Sequence, residues 1–273
     1  MKIVNLKKQK SNFVIGEEPI KSHYGQVIGG DVILKDNNEI VCIYTKIPSN
    51  YLRALRVVVN TTKYSETYRT SALPTKSSVF GSQPRNALRN DYCRLTAWTT
   101  NEVANFKKLL NFSKYVCEIY KKYLPKDYNN ELAWVNNNVD SDYLFNESPY
   151  TSINVNVNHA IKYHKDTGNV KGSYSNIIIV KNNINGGELV LPEYGVALDQ
   201  ADGYMAIIKG QSVVHGVMPI KQKSGENYYR ASIVYYTPNL MGKCLPFNGE
   251  VKRYQEVRVK RARSRAYGKT KEI

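Results

Sequence analysis

The feature that most constrains the fold is a series of short β segments between Ser148 and Pro238, joined by turns that contain glycine. Some segments alternate apolar and polar residues and others are uninterrupted apolar runs. The predicted strands lie at 153–157, 177–180, 188–191, 196–198, 204–208, 212–215 and 231–236. Strands this short and this closely spaced are typical of an antiparallel sandwich or jelly roll.

The region before this series contains one clear helix. Thr99 and Glu102 have the spacing of a capping box, and Pro125 is expected to end the helix. Apolar or small residues follow at three- and four-residue intervals, at Val103, Phe106, Leu110, Ser113, Cys117, Tyr120 and Leu124. This spacing places them on one face, which predicts a packing helix without a chemical role.

Three regions are expected along the chain. Residues 1–80 form a β-rich N-terminal extension that packs on the core, and within it 1–75 is predicted as short strands. A long loop rich in Ser, Thr, Pro and Arg is predicted from 67 to 90. Residues 81–248 form the main domain, and 249–273 form a basic tail, helical in part.

Cysteine usage and the absence of targeting signals bear on the compartment. Cys42, Cys93, Cys117 and Cys244 form no C-x-x-C pair and fit no zinc-site spacing, so we predict buried reduced thiols. The first ten residues are basic with no apolar stretch after them, and no apolar run approaches the ~20 residues of a membrane span. We expect an intracellular protein, nuclear or cytoplasmic, without membrane association.

Positive charge is concentrated near the C-terminal end. The formal net charge is +16, and residues 251–273 contain nine Lys or Arg and two Glu. A cluster of this kind predicts contact with a polyanion, for which nucleic acid is the first candidate, DNA in preference to RNA. The open alternative is a solvated terminus that binds nothing.

One set of residues predicts metal chemistry. His164 and Asp166 are two positions apart, which on one strand means the same face, and His215 follows 49 residues after Asp166 on a separate predicted strand. Two histidines and one carboxylate form the facial triad of non-haem Fe(II) oxygenases, which leaves positions for a bidentate 2-oxo acid and for O2. Catalytic zinc sites also use two histidines and a carboxylate, so zinc is the alternative metal.

The order of the residues gives the motif its strength, because His-x-Asp alone is weak. Arg230 follows His215 by fifteen positions at the start of a β segment, where it can bind the far carboxylate of 2-oxoglutarate in bidentate fashion. Ser232 lies on the same strand face and can donate to the same carboxylate. A zinc hydrolase has no use for this arginine.

The combination of segments resembles the TET/JBP group of 2-oxoglutarate dioxygenases. The segments that carry the resemblance are Pro84–Cys93, Tyr163–Asn169, Gly187–Gly195, Gly210–Val217 and Tyr229–Arg230. The likeness covers roughly residues 80 to 246. It implies an α+β fold with a double-stranded β-helix core and flanking helices. It also implies that His164, Asp166 and His215 bind iron and that Arg230 binds 2-oxoglutarate.

The resemblance further implies oxidation of the 5-methyl group of thymine or 5-methylcytosine in nucleic acid. The chain has no cysteine-rich zinc module and no base-J-binding domain, and the first ~80 residues match nothing named, so the base itself is not fixed. An iron site within a β-barrel mouth requires the base to be flipped out of the duplex.

Several residues are candidates for contacts with such a substrate. Asn156, Asn158 and His159 precede the iron loop and are predicted to line the base pocket, and Arg85 and Arg89 are predicted to contact phosphate. The asparagines equally fit the polar face of a strand, and the arginines equally fit structural salt bridges. The alternative functions are a 2-oxoglutarate-dependent hydroxylase of protein side chains, of the prolyl hydroxylase type, and a non-catalytic nucleic-acid binder.

Overall fold

The computed structural model describes residues 1–10, 12–67, 75–86, 92–145, 147–223 and 228–270, and the side chains of 67 and 266–270 are outside the description. The helices in these ranges are α1 (Ser49–Thr61), α2 (Ala97–Asn101), α3 (Val103–Tyr123), α4 (Pro125–Asn138) and α5 (Phe247–Thr270). The strands are β1 (Lys2–Leu6), β2 (Gln26–Ile28), β3 (Val32–Asp36), β4 (Glu39–Lys46), β5 (Ser65–Thr67), β6 (Thr75–Gln83), β7 (Arg94–Leu95), β8 (Ser152–Val157), β9 (Ser175–Asn182), β10 (Ile184–Gly186), β11 (Leu189–Leu191), β12 (Val196–Leu198), β13 (Tyr204–Ile208), β14 (Gly216–Val217), β15 (Ile220–Gln222) and β16 (Tyr229–Tyr236).

Two sheets face each other, with helices on the outer face of the larger one. The large sheet has the order β1-β3-β4-β13-β9-β16-β8-β6-β5, with β7 paired to β6, and the smaller one has the order β14-β11-β12-β2. All pairs in the large sheet are antiparallel except β1 with β3. This is the α+β, double-stranded β-helix arrangement with flanking helices that the sequence predicts.

Period-two alternation along the central strands produces two distinct faces. On β16, Ala231, Ile233 and Tyr235 pack in a hydrophobic core against α1, α3 and α4, whereas Arg230 and Ser232 face the small sheet. A second core joins the two sheets and includes buried residues of β4, β11, β12 and β13. The polar face of β16 therefore lies between the sheets, beside residues of this second core.

The N-terminal strands are hydrogen-bonded into both sheets. Strand β4 pairs with β13 in the large sheet, and β2 pairs in parallel with β12 in the small sheet. The prediction of strands throughout 1–75 is wrong for α1, whose consecutive valines 57–59 have strand propensity. Leu55, Val58 and Val59 are nevertheless buried in the helix-side core, so tertiary packing selects the helix.

The loop predicted over 67–90 is also partly wrong, because Thr75–Gln83 forms β6. This strand pairs with β8 on one side and with β5 on the other. Its serines and threonines suggest a loop in the sequence, but Thr75, Ser78 and Ser82 are buried, and the hydroxyls of the two serines donate to backbone carbonyls outside the sheet. Ser78, for example, is 1% exposed and its hydroxyl donates to the Lys63 carbonyl.

The single helix predicted to begin at Thr99 is two helices in the structure, α2 and α3. Thr96, not Thr99, caps α2, and its hydroxyl accepts a hydrogen bond from the Thr99 amide. Glu102 separates α2 from α3, and its carboxylate accepts a bond from the Lys63 amide at 2.9 Å. Helix α3 ends at Tyr123, and Pro125 occupies the first turn of α4, where its missing N–H costs nothing.

The prediction of four reduced thiols is wrong for one pair. Cys93 and Cys244 form a disulfide bond across 151 residues, while Cys42 and Cys117 are free and buried. The fold brings the start of β7 against the segment before α5, next to Met241 and Tyr143. A separation this long has no signature in the sequence, so the spacing of the cysteines does not predict the pair.

Helix α5 begins where this cluster ends. The carboxylate of Glu250 is buried, and Arg85 donates to it through Nε at 2.7 Å and through Nη2. The amides of Cys93 and Leu245 donate to the same carboxylate at 3.1 and 3.0 Å. From Lys252 onward the helix is mainly solvent-exposed, so its first turn holds it to the domain. Among the helices of the described residues, none has the length and apolarity needed to cross a membrane.

A buried polar cluster lies between the large sheet and α4. Glu131 is 4% exposed and accepts a hydrogen bond from the Tyr120 hydroxyl at 2.9 Å. Its Oε1, the Tyr150 hydroxyl and the Asn176 side-chain amide have no hydrogen-bond partner among the described atoms. Burial raises the pKa of Glu131 to about 8, and the bond from Tyr120 only partly offsets this.

Candidate active site

Three side chains meet at the end of the space between the sheets. His164 and His215 form an isolated antiparallel bridge, each backbone amide donating to the other's carbonyl at 3.0 Å. The Asp166 amide donates to the Gly210 carbonyl at 2.9 Å. One potential ligand atom from each of the three residues lies within 4.8 Å of the others. The predicted strand positions are wrong, since Asp166 is in a loop and His215 directly precedes β14, yet the three residues converge.

Hydrogen bonds fix the orientation of both imidazoles. Nδ1 of His164 lies 2.9 Å from the Lys162 carbonyl, and Nδ1 of His215 lies 3.0 Å from the Val213 carbonyl. A carbonyl oxygen only accepts, so each Nδ1 carries the proton and each Nε2 presents its lone pair. The Nε2 atoms lie 3.4 and 3.9 Å from the Asp166 carboxylate oxygens.

Asp166 is held by a further contact. The Ser175 hydroxyl donates to its Oδ2 at 3.1 Å. Burial raises the pKa of Asp166, but the bond from His164 and the charges of the two imidazoles outweigh burial, so the net pKa is lowered. Burial lowers the pKa of His215. Asp166 is therefore an ionised carboxylate and His215 favours its neutral form, which are the protonation states that bind a divalent metal ion. For His164, burial lowers the pKa, but the contact with Asp166 outweighs burial and the net pKa is raised, so metal binding there would release a proton.

A cavity of about 280 Å³ opens beside these residues. The pocket-facing positions of β8 and β16 form one wall, because Asn154 and Asn156 pair with Val234 and Ser232 in register. The residues that line the cavity are Asn154, Asn156, His159, Ile161, His164, Asp166, Asn169, Ile177, Leu189, His215, Val217, Arg230, Ser232, Val234 and Tyr236.

Arg230 is the most unusual group in this wall. It is 2% exposed, and no ion pair in the described part of the chain includes it. Burial lowers its pKa to about 10, so it remains a cation at neutral pH. Its Nε has no hydrogen-bond partner among the described atoms. A buried, unpaired cation is costly, and an anionic ligand would remove that cost.

The sequence candidates are found in different places. Arg230 and Ser232 line the cavity from one face of β16. Asn156, on β8, and His159, just after β8, also line it. Asn158 is outside the lining, and its side chain accepts a bond from the Arg230 amide at 2.9 Å.

Of the two arginine candidates for phosphate contacts, the structure describes one. Arg85 is paired with Glu250 at the start of α5. Arg89 lies outside the described residues.

Sequence reasoning missed Ser175, Tyr236 and Gln200. Ser175 holds Asp166, Tyr236 lines the cavity, and the Gln200 side chain accepts a bond from Arg230 Nη2 at 3.2 Å. Tyr236 is an even number of positions after Arg230 on β16, so the two side chains lie on the same face, and the sequence alone indicates this. The other two contacts involve a loop residue and a turn residue, Asp166 and Gln200, and no spacing rule indicates them.

The donor set fits a metal ion and an acidic co-substrate. Two imidazole nitrogens and one carboxylate grouped on one side of a cavity match the open facial site of non-haem iron oxygenases. The unpaired guanidinium in the same cavity fits a carboxylate. A double-stranded β-helix with this site defines the class, a 2-oxoglutarate-dependent non-haem iron dioxygenase, whose members use Fe(II), 2-oxoglutarate and O2.

Comparison with protein families gives the particular group. The model of the Tet_JBP family, described as the oxygenase domain of the 2OGFeDO superfamily, matches residues 77–239, more than half of the chain. The chain belongs to this family. A search of curated proteins finds no match.

Comparison with solved structures identifies similar chains, and one with a TM-score above 0.5 supports the fold. NgTET1 in complex with 5mC DNA is similar over 93% of this chain and 90% of its own, with 14% identity and a TM-score of 0.60. A 2OG-Fe(II) oxygenase family protein from Burkholderia pseudomallei covers 71% of this chain and 84% of its own, with 14% identity and a TM-score of 0.46. A full-length Neurospora crassa protein in complex with alpha-KG covers 72% and 76%, with 15% identity and a TM-score of 0.40.

Proposed function

We propose that the protein oxidises the 5-methyl group of a pyrimidine base, 5-methylcytosine or thymine, in DNA. The observation that carries the nucleic-acid assignment is the exposed basic helix α5, which extends from the domain that holds the oxygenase site. Membership of the Tet_JBP family and the likeness to a structure bound to 5mC DNA support the same substrate class.

The roles of the site residues follow from their positions. His164, Asp166 and His215 would hold Fe(II), with Ser175 and the two backbone carbonyls fixing the ligand orientations. With 2-oxoglutarate and O2, the bound iron supplies an oxidant able to attack an unactivated C–H bond. Arg230 and Ser232 would hold the co-substrate through its distal carboxylate, at the opposite end from the metal-binding group.

The cavity sets the size of what enters. At about 280 Å³ it is near the lower limit of small-molecule pockets. A flat base flipped from a strand fits this scale. Asn156 and His159 would read the polar edge of the base, and Tyr236 offers a ring against which the base can stack.

Helix α5 offers the charge that a nucleic-acid backbone requires. It carries Lys252, Arg253, Arg258, Lys260, Arg261, Arg263 and Arg265 against a single exposed acidic residue, Glu256, in its described side chains. These cations surround the helix, and its low amphipathicity indicates that it covers no core. Phosphate contacts are the function that such a helix serves best.

A short series of contacts links the base of α5 to the cavity. The Tyr254 ring on α5 lies 5.0 Å from the Tyr92 ring, and Arg94 stacks on Tyr92. Arg94 pairs in register with Gln83, whose amide donates to the Tyr236 hydroxyl at 3.3 Å. These contacts connect the start of α5, where a DNA strand would bind, to Tyr236 in the cavity lining.

The test is a nucleoside analysis. Protein loaded anaerobically with Fe(II) and 2-oxoglutarate is mixed with duplex DNA that contains thymine alone or added 5-methylcytosine, and air is admitted. Mass spectrometry of the digested nucleosides should show an oxidised methyl group on one base, absent for His164→Ala. The product identifies the base.

Two other outcomes would contradict the assignment. Succinate without any oxidised nucleoside would reject DNA base oxidation and direct the search to protein side chains, the prolyl hydroxylase alternative. No succinate despite bound iron would reject the roles given to the site residues. Removal of residues 251–273 should weaken DNA binding and reduce its salt dependence, because phosphate contacts release counterions.

A further inference from the structure

Gln200 occupies the turn between β12 and β13 and is fully buried. Its backbone is in the left-handed region, with φ of 47°, which is uncommon for a residue other than glycine. The turn directs the side chain across to β16, where Oε1 accepts a hydrogen bond from Arg230 Nη2 at 3.2 Å. A costly backbone conformation is thus maintained at a residue that contacts the buried guanidinium.

The amide nitrogen of Gln200 has no hydrogen-bond partner among the described atoms, and neither has Arg230 Nε. The nitrogen and Oε1 share one carbon, so Nε2 lies beside the guanidinium that Oε1 contacts. Two buried side chains in contact thus present unused N–H donors next to an unpaired positive charge. Buried donors are normally satisfied, and a carboxylate would satisfy both groups together.

We propose that Gln200 Nε2 is a further donor, beside Arg230 and Ser232, to the distal carboxylate of the co-substrate, and that Gln200 and Arg230 together select 2-oxo acids that carry this carboxylate. This inference rests on the role given to Arg230 above. The residue type supports it, since a glutamate here would neutralise Arg230 and compete with the ligand. A glutamine orients one guanidinium N–H, leaves the charge available and adds a donor.

The close packing around Arg230 makes the arrangement rigid. Gly187 has φ of +78°, and a Cβ at this position would lie 2.7 Å from Arg230 Cδ. The glycine therefore lets the arginine side chain pass directly over the backbone. With Arg230 fixed from this side and Gln200 from the other, the two donors have a defined spacing.

Calorimetry with two 2-oxo acids separates this role from general damage. Zn(II)-loaded protein, which cannot turn over, is titrated with 2-oxoglutarate and with 2-oxopentanoate, which has the same chain length without the distal carboxylate. In Gln200→Met the Kd for 2-oxoglutarate should rise about tenfold or more, as expected for loss of a hydrogen bond to a charged group. The Kd for 2-oxopentanoate should stay within about twofold of its wild-type value, since no contact to that ligand is lost.

The side-chain amide gives a direct readout that a merely structural residue would not provide. The Gln200 amide resonances are assigned by their disappearance in Gln200→Met. In the Zn(II) protein they should shift on addition of 2-oxoglutarate and remain in place with 2-oxopentanoate. Gln26→Met, at an exposed position on β2, is the matched control and should change neither affinity.

Each contrary result has one meaning. An unchanged 2-oxoglutarate affinity in Gln200→Met, or an equal loss for both acids, would overturn the proposal. If that variant does not fold, Gln200→Asn replaces it, because asparagine tolerates positive φ and its shorter amide cannot reach the carboxylate. Absence of 2-oxoglutarate binding in wild type would instead reject the role of Arg230. Failure of DNA oxidation alone would leave these binding results unaffected, since no nucleic acid is present.

Discussion

The buried carboxyl of Glu131 makes the stability of the protein depend on pH in a defined direction. Its pKa in the folded chain is about 8, against an ordinary value of 4.5. Below about pH 4.5 the group is protonated in both states and does not affect the free energy of unfolding. Between about pH 4.5 and 8 only the unfolded chain ionises, so stability falls as pH rises, and above that range the loss is complete.

Replacement of Glu131 by glutamine should remove this loss. Glutamine has the shape of the protonated acid and can still accept the bond from Tyr120 through its amide oxygen. At 1.36 kcal/mol per pKa unit, the gain in stability is about 1 kcal/mol at pH 5.5 and about 4 kcal/mol at pH 8. For a chain of this size, these gains correspond to a rise in Tm of roughly 3 °C and roughly 10 °C.

The assay is thermal unfolding of wild type and Glu131→Gln in chelator at both pH values. The metal-site histidines are common to both proteins and cancel in the difference. Glu118→Gln, on the exposed face of α3, is the matched control and should leave Tm nearly unchanged. A gain for Glu131→Gln that is equal at both pH values, or larger at the lower one, would refute the reasoning, because it would show that the carboxyl is ionised in the folded protein or does not titrate in this range.

Three further predictions concern the metal site and the attachment of α5. Addition of Fe(II) or Zn(II) should raise the Tm of wild type but not of His215→Ala, because a ligand that binds only the folded state stabilises it; differential scanning fluorimetry measures both. Arg85→Met leaves the Glu250 carboxylate buried without its cation, so the free energy of unfolding should fall by about 3 kcal/mol and amide exchange at the start of α5 should become faster. In chemical unfolding, the double variant with Glu250→Met should recover part of this lost stability. Cys93→Ser should lower the midpoint of urea unfolding under oxidising conditions by an amount equivalent to about 4 kcal/mol, and an equal effect with reductant present would rule out the disulfide with Cys244 as the cause.

The sequence predicts which residues converge better than it predicts the elements that carry them. His164, Asp166, His215 and Arg230 are selected by residue type and order, because few chemical roles require those four groups in that sequence, and they line one cavity. Their placement on regular strands was wrong for the three candidate metal ligands, since a bridge and a loop bring them together instead. The order of these residues along the chain is a valid signal even where their local secondary structure is predicted wrongly.

The fold class follows from period-two patterning, which the central strands retain. The exceptions have specific physical causes. Helix α1 contains β-branched residues that have strand propensity, and burial against α3 decides its structure. Strand β6 forms in spite of its polarity, because β8 and β5 pair with its backbone and its hydroxyls find partners in the fold, as Ser78 does at the Lys63 carbonyl. The contact between Gln200 and Arg230 depends on a turn whose direction no local pattern encodes.

The pairing of the N-terminal strands has a consequence for how the chain is made. Tyr44 of β4 lies opposite Ala206 of β13, and Val27 of β2 lies opposite Ala197 of β12, so these partners are separated by most of the chain. During synthesis the early strands emerge long before their neighbours and expose apolar edges in the meantime. Closure of the sheets must wait for the second half of the polypeptide, and such long-range pairing is slow to form. A piece limited to residues 77–239 would leave β13 and β12 with open edges, so expression of that segment alone should favour aggregation over a working oxygenase.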